Sequence, residues 1–179
     1  MREVYSNQMY VLLFQVDHTA DKAMDRDIRG TLRGALRKNL GTPEDWDRLP
    51  PAAANMEYYG RPLPEPLPGS NVLTSYELDF YVRHYEQKGF TPAINWYRNI
   101  SRNWKAGLDM DQTIRVPSLM VSAANDVVLR PSMAVGMEAY VPDLDRHLLA
   151  DCWHWTPEEK PKELNRLVLS WLERRYAFP

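Results

Sequence analysis

Residues 116–126 read VPSLMVSAAND, and this stretch decides the fold. Its short apolar run, 119–121, ends in a polar turn, which is typical of a buried strand. Downstream, the pattern predicts a helix over 131–140, a second strand over 146–150 and a closing helix over 161–175. This β-α-β-α order predicts an α/β domain with a parallel sheet.

Two titratable residues come directly after the two predicted strands. Asp126 follows the first strand and His154 follows the second. Since parallel sheets bind ligands at the carboxyl ends of their strands, both side chains are expected at one edge of the sheet. An aspartate followed by a histidine also matches the chain order of an acid that orients a catalytic base. Two plainer interpretations stay open, with Asp126 as a turn former and His154 as a packing residue between two tryptophans.

The chain before these strands, residues 1–104, is predicted to be mostly helical. Apolar side chains recur every four residues through 17–38, which predicts one amphipathic helix. A capping box at 74–77 begins a second helix that Gly89 closes, and Pro92 begins a third that continues to residue 104. The first helix carries arginines and aspartates on its polar face, which predicts a solvated surface. Those arginines are Arg26, Arg29, Arg33 and Arg37.

Prolines separate the first helix from the second. Residues 43–71 contain seven of the 14 prolines, which predicts a stiff connector with little regular structure. A parallel sheet normally has several strands and is covered on both faces, but only two convincing strands are found here. The sequence therefore predicts a helical region, 1–104, followed by the last part of an α/β domain, 105–179. The strands that such a domain places earlier are expected to precede residue 1.

Composition and charge exclude several classes of function. The 179 residues carry a net charge of -2, so no nucleic-acid or anionic membrane surface is indicated. The longest apolar run, 9–14, is too short to span a membrane or to serve as a secretory signal, and a cytoplasmic location is expected. Cys152 is the single cysteine, and the four histidines lack the short spacing of metal ligands, so neither a metal nor a cofactor is predicted.

Several short motifs carry a resemblance to a known family. They are NWYRN at 95–99, RNW at 102–104, PSLMV at 117–121 with Asp126, and DCWHW at 151–155. The segments 10–15, 80–83 and 89–90 fit as well. Together they resemble the soluble epoxide hydrolases of the α/β-hydrolase superfamily over nearly all 179 residues. The resemblance implies an incomplete α/β-hydrolase fold, with 1–104 as the helical cap and 105–179 as the C-terminal part of the core.

The resemblance also implies a reaction and its residues. In that family an aspartate attacks an epoxide carbon while two cap tyrosines donate hydrogen bonds to the ring oxygen, and a histidine–aspartate pair then activates water to release a vicinal diol. By motif match, Tyr10 and Tyr97 are the donors, Asp126 is the orienting acid and His154 is the base. The implied partners are a small apolar epoxide and water. A separate N-terminal half or a second copy of the chain is a candidate macromolecular partner.

The chain also departs from the family pattern. It contains no Gly-x-Asp-x-Gly or Gly-x-Ser-x-Gly nucleophile motif and no His-Gly-x-Pro oxyanion loop. Trp153 replaces the usual glycine before the histidine, and Pro157 replaces a common glutamine. Besides an epoxide hydrolase fragment, two alternatives therefore stay open. One is a non-catalytic product that acts by binding, and the weaker one is a haloalkane dehalogenase-like hydrolase, against which the paired tyrosines argue.

Overall fold

The change from helices to a parallel sheet is present in a computed structural model of the chain, which describes residues 10–16, 18–39, 67 and 69–176. The described residues form two compact units, and the boundary between them lies between Met110 and Asp111. The first is helical and the second contains the parallel sheet. None of the helices in the described part of the chain has the length and apolar character needed to cross a membrane.

The helical unit contains six helices and two very short strands among its described residues. The helices are α1 Tyr10–Leu13, α2 Thr19–Asp25, α3 Ile28–Ala35, α4 Ser75–Lys88, α5 Thr91–Arg98 and α6 Ile100–Gly107. Strand β1, Arg37–Lys38, pairs antiparallel with β2, Ser70–Asn71. Buried apolar side chains from α2 to α5 form the interior: Met24, Leu32, Leu36, Val82, Phe90 and Ile94.

The predicted single helix over 17–38 is wrong, because the chain forms two helices and a strand there. Asp27 begins the second helix by accepting a hydrogen bond from the backbone N–H of Gly30 at 2.8 Å. An aspartate at this position caps a helix start, so it competes with continuation of the preceding helix. The structure describes little of the predicted connector 43–71, and its prolines lie outside the described residues.

The solvated face predicted for four arginines is wrong for Arg37. This side chain is buried, and its guanidinium donates to the carbonyl oxygens of Leu67 and Gly69 and to the side chain of Asn71. Arg37 therefore ties β1 to the segment that contains β2. A helical pattern could not indicate this contact, because it joins positions that are distant in the chain.

Of the other two helix predictions in this unit, one is confirmed and the other is correct only in part. Thr74 and Glu77 form the predicted capping box at the start of α4, and Gly89 ends that helix with a positive φ of 64°. A side chain is strained in that conformation, which favours glycine. The predicted helix over 92–104 is interrupted at Asn99, whose side chain donates to the carbonyl of Asn95 at 2.9 Å.

The second unit is built on two parallel strands. Strand β3, Ser118–Ala123, pairs with β4, Leu144–Leu149, in a register that places Ser118 opposite Leu144 and Ala123 opposite Leu149. Two helices follow, α7 Thr156–Glu159 and α8 Pro161–Arg175. The last residues of the two strands, Ala123 and Leu149, form a small buried core with Cys152. Val121 and Leu167 pack against this core.

Between the two strands the predicted helix over 131–140 is wrong. The chain instead makes two short 3-10 helices, Pro131–Ala134 and Met137–Ala139. Val135 is extended and Gly136 has a positive φ of 86°, so a continuous helix cannot pass through these residues. Both strands and the bounds of α8 agree with the sequence pattern.

Candidate functional site

Asp126 and His154 sit in loops that follow neighbouring strands. The backbone N–H of Ala124 donates to the carbonyl of Leu149, and that of Asn125 donates to the carbonyl of Cys152, both at 2.9 Å. These bonds continue the contact between the strands past their ends. The loop after β3 is thereby held beside the loop after β4, which brings the aspartate and the histidine together.

Both oxygens of the Asp126 carboxylate make contacts. Oδ1 accepts the backbone N–H groups of Val128 and Leu129, both at 2.8 Å, and lies 3.2 Å from Nδ1 of His154. Oδ2 makes the shorter contact with that nitrogen, at 3.0 Å. Burial alone would raise the pKa of this carboxyl, but the hydrogen bonds from His154 and the two amides outweigh it and lower the pKa. Asp126 is therefore an ionised, fixed hydrogen-bond acceptor at neutral pH.

The contact with Asp126 sets the state of the His154 ring. A carboxylate can only accept, so Nδ1 of the neutral ring carries the proton and Nε2 is the basic nitrogen. The His154 side chain is 32% exposed whereas that of Asp126 is 7% exposed. The pair thus has a buried acid and a partly exposed base, an arrangement that can take a proton from water.

Trp153 does not displace the histidine, a possibility raised by its replacement of the usual glycine. Among the described residues other than glycine, only Asn39 and Asp151 have a positive φ, so Trp153 needs no left-handed backbone. The His154 ring keeps its contact with Asp126 and makes an edge-to-face contact with Trp155 at 5.1 Å between ring centres.

The two predicted donor tyrosines lie together in the helical unit. The rings of Tyr10 on α1 and Tyr97 on α5 meet edge to face with 5.8 Å between centres, and Phe14 packs against Tyr97 at 4.9 Å. Burial raises the pKa of the Tyr97 hydroxyl. Tyr97 therefore stays protonated, and able to donate, to a higher pH than a solvated tyrosine.

A buried acid that binds Arg98, the residue after Tyr97 in the chain, was not predicted from the sequence. Asp21 is only 1% exposed and accepts from Arg98 with both oxygens, at 3.1 and 3.2 Å, and from the hydroxyl of Thr91 at 2.7 Å. His18 Nδ1 also lies 2.8 Å from Oδ2. Burial opposes ionisation of Asp21, but these contacts hold its pKa well below its usual range. The network fixes α2 against the start and end of α5, the helix that carries Tyr97.

The sequence-based roles divide between the two units. The structure brings Asp126 to His154 in one unit and Tyr10 to Tyr97 in the other, while the catalytic roles of all four stay predictions. Asp21 was missed because its burial and its contacts with Thr91 and Arg98 join α2 to a helix that is distant in the chain. Within the described residues, no group of three or more His, Cys, Asp or Glu side chains is arranged to hold a metal ion.

No family model matches this chain, but individual proteins do. It is 36% identical over 165 residues to bifunctional epoxide hydrolase 2 of Sus scrofa, covering 92% of this chain and 29% of that protein. It is 31% identical to epoxide hydrolase A of Mycobacterium tuberculosis, covering 93% of this chain and 52% of that protein. The chain thus spans about half or less of the length of these relatives.

Solved structures give the same result. The crystal structure of epoxide hydrolase A from Mycobacterium thermoresistibile matches with a TM-score of 0.75 and 32% identity, covering 96% of this chain and 55% of that one. Potato epoxide hydrolase I matches with a TM-score of 0.75 at 21% identity and supports the fold alone. These relatives support neither the haloalkane dehalogenase nor the non-catalytic alternative.

Proposed function

Since this chain is homologous over most of its length to epoxide hydrolases of the α/β-hydrolase fold, we propose that it supplies the cap, the orienting acid and the general base of an epoxide hydrolase. In this proposal residues 1–104 are the cap, with the connector 43–71, and residues 105–179 are the C-terminal part of the core. The reaction is hydrolysis of a small apolar epoxide to a vicinal diol.

The observation that carries the proposal is the hydrogen bond between His154 Nδ1 and Asp126 Oδ2, 3.0 Å long. In the proposed reaction His154 Nε2 removes a proton from water, and the resulting hydroxide attacks the carbonyl carbon of an ester intermediate. The ionised Asp126 stabilises the imidazolium that forms and keeps the ring in the required tautomer. The ester C–O bond then breaks and the diol leaves.

The tyrosines act in the earlier step. A carboxylate nucleophile forms a bond to one epoxide carbon while the bond between that carbon and the ring oxygen breaks. Negative charge develops on the ring oxygen, and the hydroxyls of Tyr10 and Tyr97 donate hydrogen bonds to it, one of them passing on its proton. The tyrosinate that this leaves regains a proton from water, and the imidazolium formed in the later step returns one to water, so both groups are restored. Burial raises the pKa of Tyr97, so this hydroxyl keeps its proton, and can donate a hydrogen bond, throughout the neutral range. The aromatic cluster around it suits an apolar substrate.

The nucleophile must come from outside these 179 residues. The family resemblance places it, and the oxyanion loop, in a segment ahead of the cap, and neither motif occurs in this chain. The working enzyme therefore needs an N-terminal half. We also place the protein in the cytoplasm, where a thiol such as that of Cys152 stays reduced.

The test uses a chimera that joins the N-terminal segment of epoxide hydrolase A from Mycobacterium thermoresistibile to residues 1–179. We expect it to convert a styrene-oxide-type substrate to diol. The same chimera with His154→Ala should form one equivalent of covalent ester, visible as an added mass on the protein, and then stop. A folded chimera that forms no ester, or a His154→Ala variant that still turns over, would contradict the proposal.

A further inference from the structure

The carboxylate of Glu159 accepts hydrogen bonds from the residues on both sides of the candidate base. The backbone N–H of Trp153 donates to Oε2 of Glu159, and the backbone N–H of Trp155 donates to Oε1, both at 3.0 Å. These are the residues immediately before and after His154. Each oxygen of the same side chain thus holds one flank of the histidine.

We propose that Glu159 is a positioning residue for His154. By bridging the two flanking amides, it holds the loop in the conformation that directs Nδ1 of His154 at Asp126. The importance of this role for catalysis rests on the function proposed above, but the positioning itself can be measured without any turnover.

The local backbone explains why such a bridge is needed. The loop between β4 and α7 contains Asp151 with a positive φ of 47°, and α7 begins at Thr156 without a side-chain cap at Trp155. The amides of Trp153 and Trp155 lie outside the strand ladder and the helix, so each needs another acceptor. Hydrogen bonds from N–H groups to a carboxylate are stronger than those to neutral oxygens.

Glu159 is well placed for this task because α7 is a single turn. Its first and last residues, Thr156 and Glu159, are close in space, so the last side chain can reach back to the loop. The same turn is closed by the carbonyl of Trp155, which accepts the N–H groups of Glu158 and Glu159 at 3.0 and 2.9 Å. Glu159 and Trp155 therefore form a reciprocal hydrogen-bonded pair directly after His154.

The first measurement is hydrogen exchange, followed by mass spectrometry on the whole 179-residue chain. We expect Glu159→Gln to accelerate exchange at the amides of Trp153 and Trp155 by about tenfold or more, because a glutamine offers only one acceptor oxygen for two donors. Glu158→Gln, which removes the same charge from the neighbouring position, should leave these amides within about twofold of the parent chain.

The second measurement reports on the imidazole itself. The 15N chemical shifts of its ring, recorded by NMR at a single pH, report the fraction of the tautomer that carries the proton on Nδ1. The carboxylate of Asp126 favours this tautomer, so Glu159→Gln should lower the fraction by about twofold or more beyond any change in Glu158→Gln. Asp126→Asn should lower it as well, and the ring signals of exposed His84 should not change.

A merely structural role in α7 predicts faster amide exchange with no loss of the Nδ1–H tautomer of His154 beyond that in Glu158→Gln, and this result would overturn the proposal. If Glu159→Gln unfolds the chain, exchange rises in every peptide, including those of β4 and α8. The comparison then uses Glu159→Asp, which keeps both acceptor oxygens. Retained protection at His154 and its neighbours in that variant supports the proposal, whereas loss as complete as in Glu159→Gln overturns it.

The outcome is separable from the fate of the proposed function. A chimera without activity, together with a lowered fraction of the Nδ1–H tautomer in Glu159→Gln, would refute the function and leave the positioning role intact. An active chimera whose Glu159→Gln variant keeps that fraction would refute the positioning role and leave the function intact.

Discussion

At the scale of single residues, Asp126 shows how a loop can both fold itself and orient a base. Its Oδ1 accepts two backbone N–H groups and so shapes the turn after β3, while Oδ2 makes the shorter of the two contacts with His154. The two roles that the sequence left as alternatives, turn former and orienting acid, are thus compatible in one side chain. Replacing either oxygen with a donor must disturb one of them.

The first prediction concerns Asp126→Asn. If the amide oxygen keeps the loop contacts, the NH2 group faces Nδ1 of His154 and forces the ring into the other tautomer, which leaves no basic Nε2. In the chimera described above, we expect hydrolysis of the ester to slow by about 10³–10⁴-fold, while its formation changes little. Rapid-mixing experiments that follow ester formation and decay separately provide the measurement. Decay within tenfold of the parent rate would rule out the orienting role.

A second residue-scale prediction concerns Tyr97→Phe. Loss of one donor to the developing oxyanion should lower the rate of ester formation by about 10–100-fold. Because burial raises the pKa of Tyr97, the parent rate should fall only above about pH 10, where the donor begins to lose its proton. Single-turnover alkylation across pH measures both effects.

Tyr76→Phe is the matched control, since Tyr76 lies exposed on α4 and loses the same hydroxyl. It should leave the rate of ester formation and its pH dependence unchanged. If the Tyr97 and Tyr76 variants formed the ester at equal rates, Tyr97 would have no role in that step.

At the scale of elements, the start of α5 is held by acids of α2. Asp21 accepts the hydroxyl of Thr91, and Asp25 accepts the backbone N–H of Phe90 at 2.8 Å. Both acids lie one turn apart on α2, so they face the same neighbour. With Arg98 bound to Asp21 at the other end, α5 is fixed along its length, and Tyr97 with it.

The third prediction is that Asp21→Asn destabilises the helical unit by about 3 kcal/mol, because it leaves the guanidinium of Arg98 without its charged partner in a buried site. The pKa of Asp21 is lowered in the folded chain, so its stabilising contribution is present at neutral pH. That contribution should decline as pH falls below about 4, where the unfolded carboxyl takes up its proton. Hydrogen exchange at α5 amides, measured at pH 7 and at lower pH, reports the loss.

Asp79→Asn serves as the control for that prediction. Asp79 pairs with Arg29, but both side chains are about half exposed, so solvent screens the pair. We expect its removal to cost less than about 1 kcal/mol. Similar losses in the two variants would mean that burial does not strengthen the Asp21 pair.

Elements also show what the sequence could and could not predict. The bounds of α8 and the capping box of α4 were predictable because the signals for both lie within the element itself. The break at Asp27 was not, because a polar residue inside a long apolar repeat can either continue a helix or cap a new one. The contacts of Arg37 and Asp21 depend on which distant segments meet in space, and one sequence does not contain that information. Those of Glu159 depend on the shape of the loop before α7. The aspartate–histidine contact was predictable because parallel strands end at the same edge.

At the scale of the whole molecule, the two-stranded sheet leaves a large apolar surface in the second unit. Parallel strands are normally covered on both faces and paired at both edges. Here Leu148 on β4 is 60% exposed although it is flanked by the buried Leu149. Several other large apolar residues of this unit are exposed as well: Ile114, Val116, Leu129, Met133, Val135 and Tyr140. Surfaces of this kind mark interfaces or sites of aggregation.

The last prediction is that residues 1–179, expressed alone, hydrolyse no epoxide and associate with one another. Turnover should be absent because the chain lacks the motif that would hold a carboxylate nucleophile, and water activated by His154 alone cannot replace attack through an ester. Association should follow from the exposed apolar surface and from the outer edges of the described β3–β4 sheet, whose N–H and C=O groups can pair with a strand of another chain. Light scattering measures the mass, and diol formation measures activity.

Leu148→Lys should lower the associated fraction, whereas Leu169→Lys, an equally exposed change on α8, should lower it less because that helix has no open strand edge. A monodisperse monomer that unfolds cooperatively would refute the association, and diol formation abolished by His154→Ala would show that these residues contain a nucleophile after all.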